Sequence, residues 1–111
     1  DWLYHNNEIS NKDDIFISNE STRNSILSLL HKEIPYNLKI TNKIFKYLKN
    51  GDLKIKQCIE INNPRYKKII LGKNGEKIKE IRIKSQNYLS KLFNNRVHLY
   101  IQIIKSNAEK I

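Results

Sequence analysis

The chain has 111 residues, 39% of them apolar and 29% charged, and carries a formal net charge of +10. That is enough for one domain with its own hydrophobic core, and the single cysteine, Cys58, excludes an internal disulfide. No apolar run has the length of a secretory leader or a membrane span, so a soluble, reducing, intracellular setting is expected.

Residues 1–17 show no sustained periodicity; an apolar cluster, Trp2-Leu3-Tyr4, is followed by polar residues as far as Asp13-Asp14. They read as a linker or arm that docks through Trp2 and Ile15 to Ile17. A first helix is expected next, with Ile26, Leu27, Leu29 and Leu30 on an apolar stripe, Ser18 or Asn19 as N-cap and Pro35 as its stop. Leu38, Ile40, Ile44 and Leu48 then alternate with lysines as a strand, and Asn50-Gly51-Asp52 signals a turn. A second strand alternates through Leu53, Ile55, Gln57, Ile59 and Ile61, so the pair forms an antiparallel hairpin. Gln57 is out of keeping with that apolar register, which suggests a position near a sheet edge.

Asn62-Asn63-Pro64 breaks the strand, and Pro64 is suited to open a short helix over "RYKKIIL" that stops at Gly72. From Gly75 a longer helix is expected, with Ile78, Ile81, Tyr88, Leu89, Leu92 and Phe93 on one face and Asn94-Asn95 at its end. "RVHLYIQIIK" closes the domain as a strand that turns Val97, Leu99, Ile101 and Ile103 to the core. The fold class is therefore α+β, with the order α-β-β-α-α-β over residues 18–106; residues 107–111 read as a frayed tail.

The charge is unevenly placed. Residues 1–20 hold five acids against Lys12, a balance of −4, which leaves +14 on the rest. Arg65, Lys67, Lys68, Lys73, Lys77, Lys79, Arg82 and Lys84 crowd one stretch that has only Glu76 and Glu80 to oppose them. Such a cluster suits a polyanion, nucleic acid first and anionic membrane second; a merely solvated face is the bland alternative. Within the stretch, Gly72 and Gly75 bracket Lys73 and Asn74 at the entrance to the long helix. Glycines there permit a tight turn whose N–H groups, with the helix N-terminus, can meet a phosphate.

The order α-β-β-α-α-β, with G-x-x-G between the last two helices, resembles the type II KH (K homology) fold, a three-stranded mixed sheet covered on one face by three helices. The fuller pattern is similar to the C-terminal domain of the Era family of GTPases: "RNSILSLLHKEIPY", the glycine-turned hairpin, "KKIILGKNGEKIKEI" and "RVHLYIQII" match it, as do the "EIPY" corner at 33–36 and Trp2-Leu3-Tyr4 at the end of a linker. "EINNPRYKK" departs from it by two extra residues; so do the surroundings of Arg82, Ser85 and Gln86, and Gln102 in place of an aromatic.

The resemblance implies binding of single-stranded RNA at the 3′ end of small-subunit ribosomal RNA. Gly72, Lys73, Asn74 and Gly75 would clamp the backbone, some of Ile69, Ile70, Leu71 and Ile78 would floor a groove for bases, and Arg65, Lys67, Lys68 and Lys77 would hold phosphates. It also implies, as partners, the small ribosomal subunit, an upstream GTPase domain that carries GTP and Mg, and a peripheral membrane contact of the parent protein. The location would be a mitochondrion or plastid in a eukaryote and the cytoplasm in a bacterium. Rival readings are a KH domain of another RNA-binding protein, or a basic module for an acidic protein or a membrane surface.

No catalytic constellation is expected in the chain itself. There is no G-x-x-x-x-G-K-[ST] loop, and His5, His31 and His98 are scattered, so neither a cofactor nor a metal is expected to bind. Cys58 reads as a buried or half-buried thiol, Glu76 and Glu80 as ion-pairing carboxylates, and Glu33 as part of the helix end or corner. Of Tyr36, Tyr47, Tyr66, Tyr88 and Tyr100, only Tyr66 lies beside the basic run, and the others are expected to pack.

Overall fold

The structure is a computed structural model, which describes residues 2–30 and 38–105, with side chains from residue 12 onward. In chain order it contains α1 (Trp2–Leu30), β1 (Lys39–Tyr47), β2 (Leu53–Ile61), α2 (Pro64–Leu71), α3 (Glu76–Phe93) and β3 (Val97–Lys105). The "EIPY" corner, Pro35, Glu33, Tyr36, the docking of Trp2 and the tail at 107–111 lie outside the described residues or their described side chains. The strands form one sheet in the order β1-β2-β3, with β2 antiparallel to β1 and parallel to β3. A parallel pair cannot be joined by a tight turn, so α2 and α3 form the crossover between β2 and β3. All three helices lie on one face, which is the α+β arrangement of a type II KH domain.

The hairpin forms as its turn chemistry dictates. Gly51 has φ 94, Asn50 Oδ1 accepts from Asp52 N at 2.9 Å, and Leu48 N donates to Asp52 O at 2.7 Å. Strand β2 turns Leu53, Ile55, Ile59 and Ile61 to the helices, each no more than 6% exposed. These residues feed two apolar clusters. The first gathers Ile26, Leu30, Ile40, Ile59, Ile61, Ile70 and Ile81; the second gathers Leu53, Ile55, Leu89, Val97 and Leu99; Ile101 packs against both.

Between the clusters runs a belt of buried polar side chains, and it corrects two expectations. Gln57 is not at an edge: it is fully buried on the central strand, where its Oε1 accepts from Thr22 Oγ1 at 2.5 Å and its amide approaches Asn19 Oδ1 at 3.4 Å. Nor do Ser18 and Asn19 cap a helix. Helix α1 runs through them, and Ser18 Oγ donates to Asp14 O at 2.8 Å inside it. The face it buries is Ser18, Ser21, Thr22, Ser25 and Ile26, small and mostly hydroxylic, so an apolar stripe could not reveal its length. Ser25 Oγ also meets Ser85 Oγ at 2.8 Å, where α1 and α3 approach. Residues 2–17 are thus helical; Ile17 packs on the second cluster, whereas Phe16 is 65% exposed.

Two other face assignments change. The β1 register slips between Asn42 and Ile44, so Lys43 is the extra residue of a bulge. Beyond it Phe45, not Ile44, sits opposite Ile55 and packs in the second cluster. Ile44 and Lys56 pair on the opposite face, the one without helices. On α3 the buried line is Ile81, Ser85 and Leu89, each four residues from the next, and it leaves Tyr88 and Leu92 about half exposed. Cys58 is buried, as expected.

Candidate nucleic-acid interface

Asn63 ends β2 and caps α2: its Oδ1 accepts from Arg65 N at 3.0 Å, while Pro64 occupies the first turn. Helix α2 ends at Gly72, whose N–H donates to Lys68 O at 2.9 Å. Residues 73–75 form one turn of 3₁₀ helix, closed by Gly75 N donating to Gly72 O at 3.2 Å, and α3 begins at Glu76. Three of the four loop residues have positive φ: Gly72 at 72, Asn74 at 57 and Gly75 at 74. Asn is among the few residues with a side chain that enter this region without large strain.

The two glycines serve different ends. Gly72 combines φ 72 with ψ 179, a backbone state that is essentially confined to glycine. A Cβ built there would lie 2.6 Å from Lys77 Cγ and 2.9 Å from Lys77 N, so the space is already filled by the chain's own next helix. A Cβ at Gly75 would meet nothing within 4 Å. The space at Gly75 is therefore open, beside the positive end of α3.

The structure brings most of the sequence-predicted residues to this one edge. Lys73 and Asn74 are exposed at the loop tip, and Arg65, Lys67 and Lys68 are exposed on α2. Ile69, Leu71 and Ile78 are half-buried, with Ile69 and Ile78 packed on the first cluster. Ile70 is fully buried and leaves the proposed groove floor, because on a helix of 8 residues it points to the core alongside the side chains of β2. Lys77 is half-buried, and its Nζ is engaged 3.3 Å from Glu80 Oε1 on the same helix. Tyr66 packs on the first cluster, with the Arg65 guanidinium 6.0 Å from its ring centre.

The sequence did not reveal that a groove lies between the start of α2 and the end of β3, lined by Ile61, Pro64, Lys67, Ile103, Ile104 and Lys105. On α2 its lining is Pro64 and Lys67, and Leu71 lies on the same helix face one turn nearer the loop. The other wall of the groove is the outer edge of β3. Near the start of that edge, α3 supplies partners: Gln86 Oε1 accepts from Leu99 N at 2.9 Å and Ser90 Oγ from Val97 N at 3.3 Å. By strand alternation, the backbone groups of Ile101 and Ile103 point the same way, toward the groove. Only a long-range pairing could have signalled this wall.

Among the described residues no helix is long and apolar enough to cross a membrane. With this geometry in place, the comparisons with known proteins are specific. A family model, KH domain (KH_2), matches residues 33–109. GTPase Era of Rickettsia typhi is 43% identical over 100 residues, 90% of this chain and 34% of that protein. GTPase Era of Ehrlichia canis is 37% identical over the same share of both. The chain thus spans about a third of the length of the curated relatives it matches. Aquifex aeolicus Era bound to GDP.AlF4- superposes with a TM-score of 0.75 at 24% identity, over 81% of this chain and 31% of that one. Era in complex with MgGDPNP and nucleotides 1506-1542 of 16S ribosomal RNA gives 0.74 at 24% identity, over 80% and 30%. At that identity the structural likeness establishes the fold, and the family match covers most of the sequence. The chain belongs to the KH domain family.

Proposed function

We propose that this chain is the RNA-binding part of an Era-like GTPase and clamps single-stranded RNA at the 3′ end of small-subunit ribosomal RNA. The observation that carries the reading is the loop of residues 72–75, which opens α3 with three positive-φ residues; a groove between α2 and β3 lies at the other end of α2. Asn74 presents its backbone N–H to phosphate, Gly75, whose own N–H is held by Gly72 O, lets the phosphate approach closely, and the α3 N-terminus adds its dipole. Lys73, Lys68, Lys67 and Arg65 neutralise the backbone, while bases lie on the apolar side chains of α2 and are read by the β3 edge. The Era structure with MgGDPNP holds nucleotides 1506-1542 of 16S ribosomal RNA, which supports this choice of ligand.

In the whole protein, GTP and Mg would belong to the two thirds of the relatives' length that this chain does not span. There RNA capture would be coupled to the nucleotide state, with the small ribosomal subunit as the larger partner. Bacterial relatives from Rickettsia and Ehrlichia support a cytoplasmic setting, and membrane contact would fall to other parts of the parent.

The test is fluorescence anisotropy with a labelled single strand of about ten nucleotides from the 3′ end of small-subunit ribosomal RNA, beside a scrambled strand. Preferential, salt-sensitive binding is expected. It should fall at least about tenfold in Lys73→Asp combined with Asn74→Asp, with circular dichroism unchanged. Equal binding by that variant would sink the clamp.

A further inference from the structure

The three helices cover one face of the sheet; among the described residues no element packs on the other. Strand alternation and the β1 bulge decide what that open face presents. One cross-strand row is Lys46, Lys54 and His98; the next is Ile44, Lys56 and Tyr100. Tyr100 is 52% exposed, and the Lys54 ammonium lies 5.8 Å from its ring centre. Ile44, Lys54, Lys56 and Tyr100 together line a shallow depression. The acids of this face are engaged at its two ends. Glu60 accepts from Thr41 Oγ1 at 2.7 Å and lies 3.9 Å from Lys39, and Asp52 lies 2.8 Å from His98 Nε2. The middle of the face is therefore a positive field around one aromatic ring.

Strand β3 links this field to the groove across a neutral row, Thr41, Cys58 and Gln102. Ile104 lines the groove and belongs to the same outward series of β3 as Gln102 and Tyr100. From Ile104 to Tyr100 is four residues, about 13 Å along the strand. We propose that single-stranded RNA longer than the loop-bound segment leaves the groove over Ile104, crosses the β3 edge and stacks a base on Tyr100, with Lys54 and Lys56 holding the phosphates. The ammonium now over the Tyr100 ring marks the place a base would take, and moves with it to phosphate. Nucleic acid suits the face better than a bilayer does: it offers a flat ring between lysines, while the exposed apolar side chains Phe16, Ile83 and Leu92 lie on the helices. The choice of RNA as the polyanion rests on the loop reading; the surface itself does not.

Two lengths of labelled single strand copied from the 3′ end of small-subunit ribosomal RNA separate the surfaces, one of about five and one of about twelve nucleotides. Combining Lys54→Glu, Lys56→Glu and Tyr100→Ala should weaken the longer strand at least about tenfold and leave the shorter one unchanged, with circular dichroism preserved. Tyr100→Phe alone should retain binding of the longer strand, and Tyr100→Ala alone should lose at least about fivefold. An unaltered affinity of the triple variant for the longer strand would overturn the inference while leaving the loop clamp intact. So would loss of sedimentation with phosphatidylserine vesicles in a variant that still binds the longer strand, because the face would then serve a lipid surface. Failure of the wild-type chain to bind either length would overturn both readings.

Discussion

The loop edge and the open sheet face are both basic surfaces, but they are built from different parts of the chain. At the loop the groups of the proposed clamp are backbone: three positive-φ residues, the start of a helix and a strand edge, with lysines around them. On the sheet the backbone is spent in the ladder, and only side chains such as Lys54, Lys56 and Tyr100 can act. A surface of the first kind is fixed by conformation and fails when that conformation becomes inaccessible. One of the second kind is fixed by alternation, and fails by loss of charge or of a ring without harm to the fold.

The sharpest way to break the comparison is Gly72→Ala. The backbone state and the clash with Lys77 should together cost about 3 kcal/mol, read as a shift in the urea midpoint, whereas Gly75→Ala should cost about 1–2. Equal losses at the two glycines would remove the distinction between a packed and an open loop position. Next in size, the loop variant and the sheet variant should have additive effects on the longer RNA, within about 0.5 kcal/mol, since they share no partners. A smaller difference separates their salt responses. Short strands should give a log–log slope near about −3 for four phosphates, and Lys54→Glu with Lys56→Glu should flatten the slope of longer strands alone by about 1.4.

The smallest effect concerns pH. The His98 hydrogen bond holds the Asp52 carboxyl below its ordinary value, so folding favours the ionised form. That contribution is complete above the unfolded carboxylate value of about 3.9 and is lost as pH falls through the lower folded one. The stability gap between the wild type and Asp52→Asn should therefore close on acidification, in urea melts taken stepwise below about pH 5. A gap that stays constant would remove His98 as the cause.

Much of this architecture was legible in the sequence because local chemistry announced it. Pro64, Gly72 and Asn94-Asn95 punctuate the helices where turn chemistry requires, and the hairpin follows from Asn50-Gly51-Asp52. What escaped is what long-range contacts decide. Helix α1 buries hydroxyls that find partners on β2 and α3, so its apolar pattern understates its length. Gln57 looked misplaced because its partner Thr22 lies 35 residues away. The loop could be read residue by residue; the groove at the other end of α2 could not, since β3 reaches α2 only once the sheet is assembled.

The bulge in β1 has a consequence for how sequences of this kind align. Lys43 is surplus to the pairing, since Asn42 opposes Gln57 and Ile44 opposes the next residue, Lys56. Deleting Lys43 turns no neighbour over: Asn42 and Phe45 keep facing the helices, and Ile44 keeps its place beside Lys56. A one-residue gap at this column would look like a truncated strand in an alignment, yet in space it is only a straighter one.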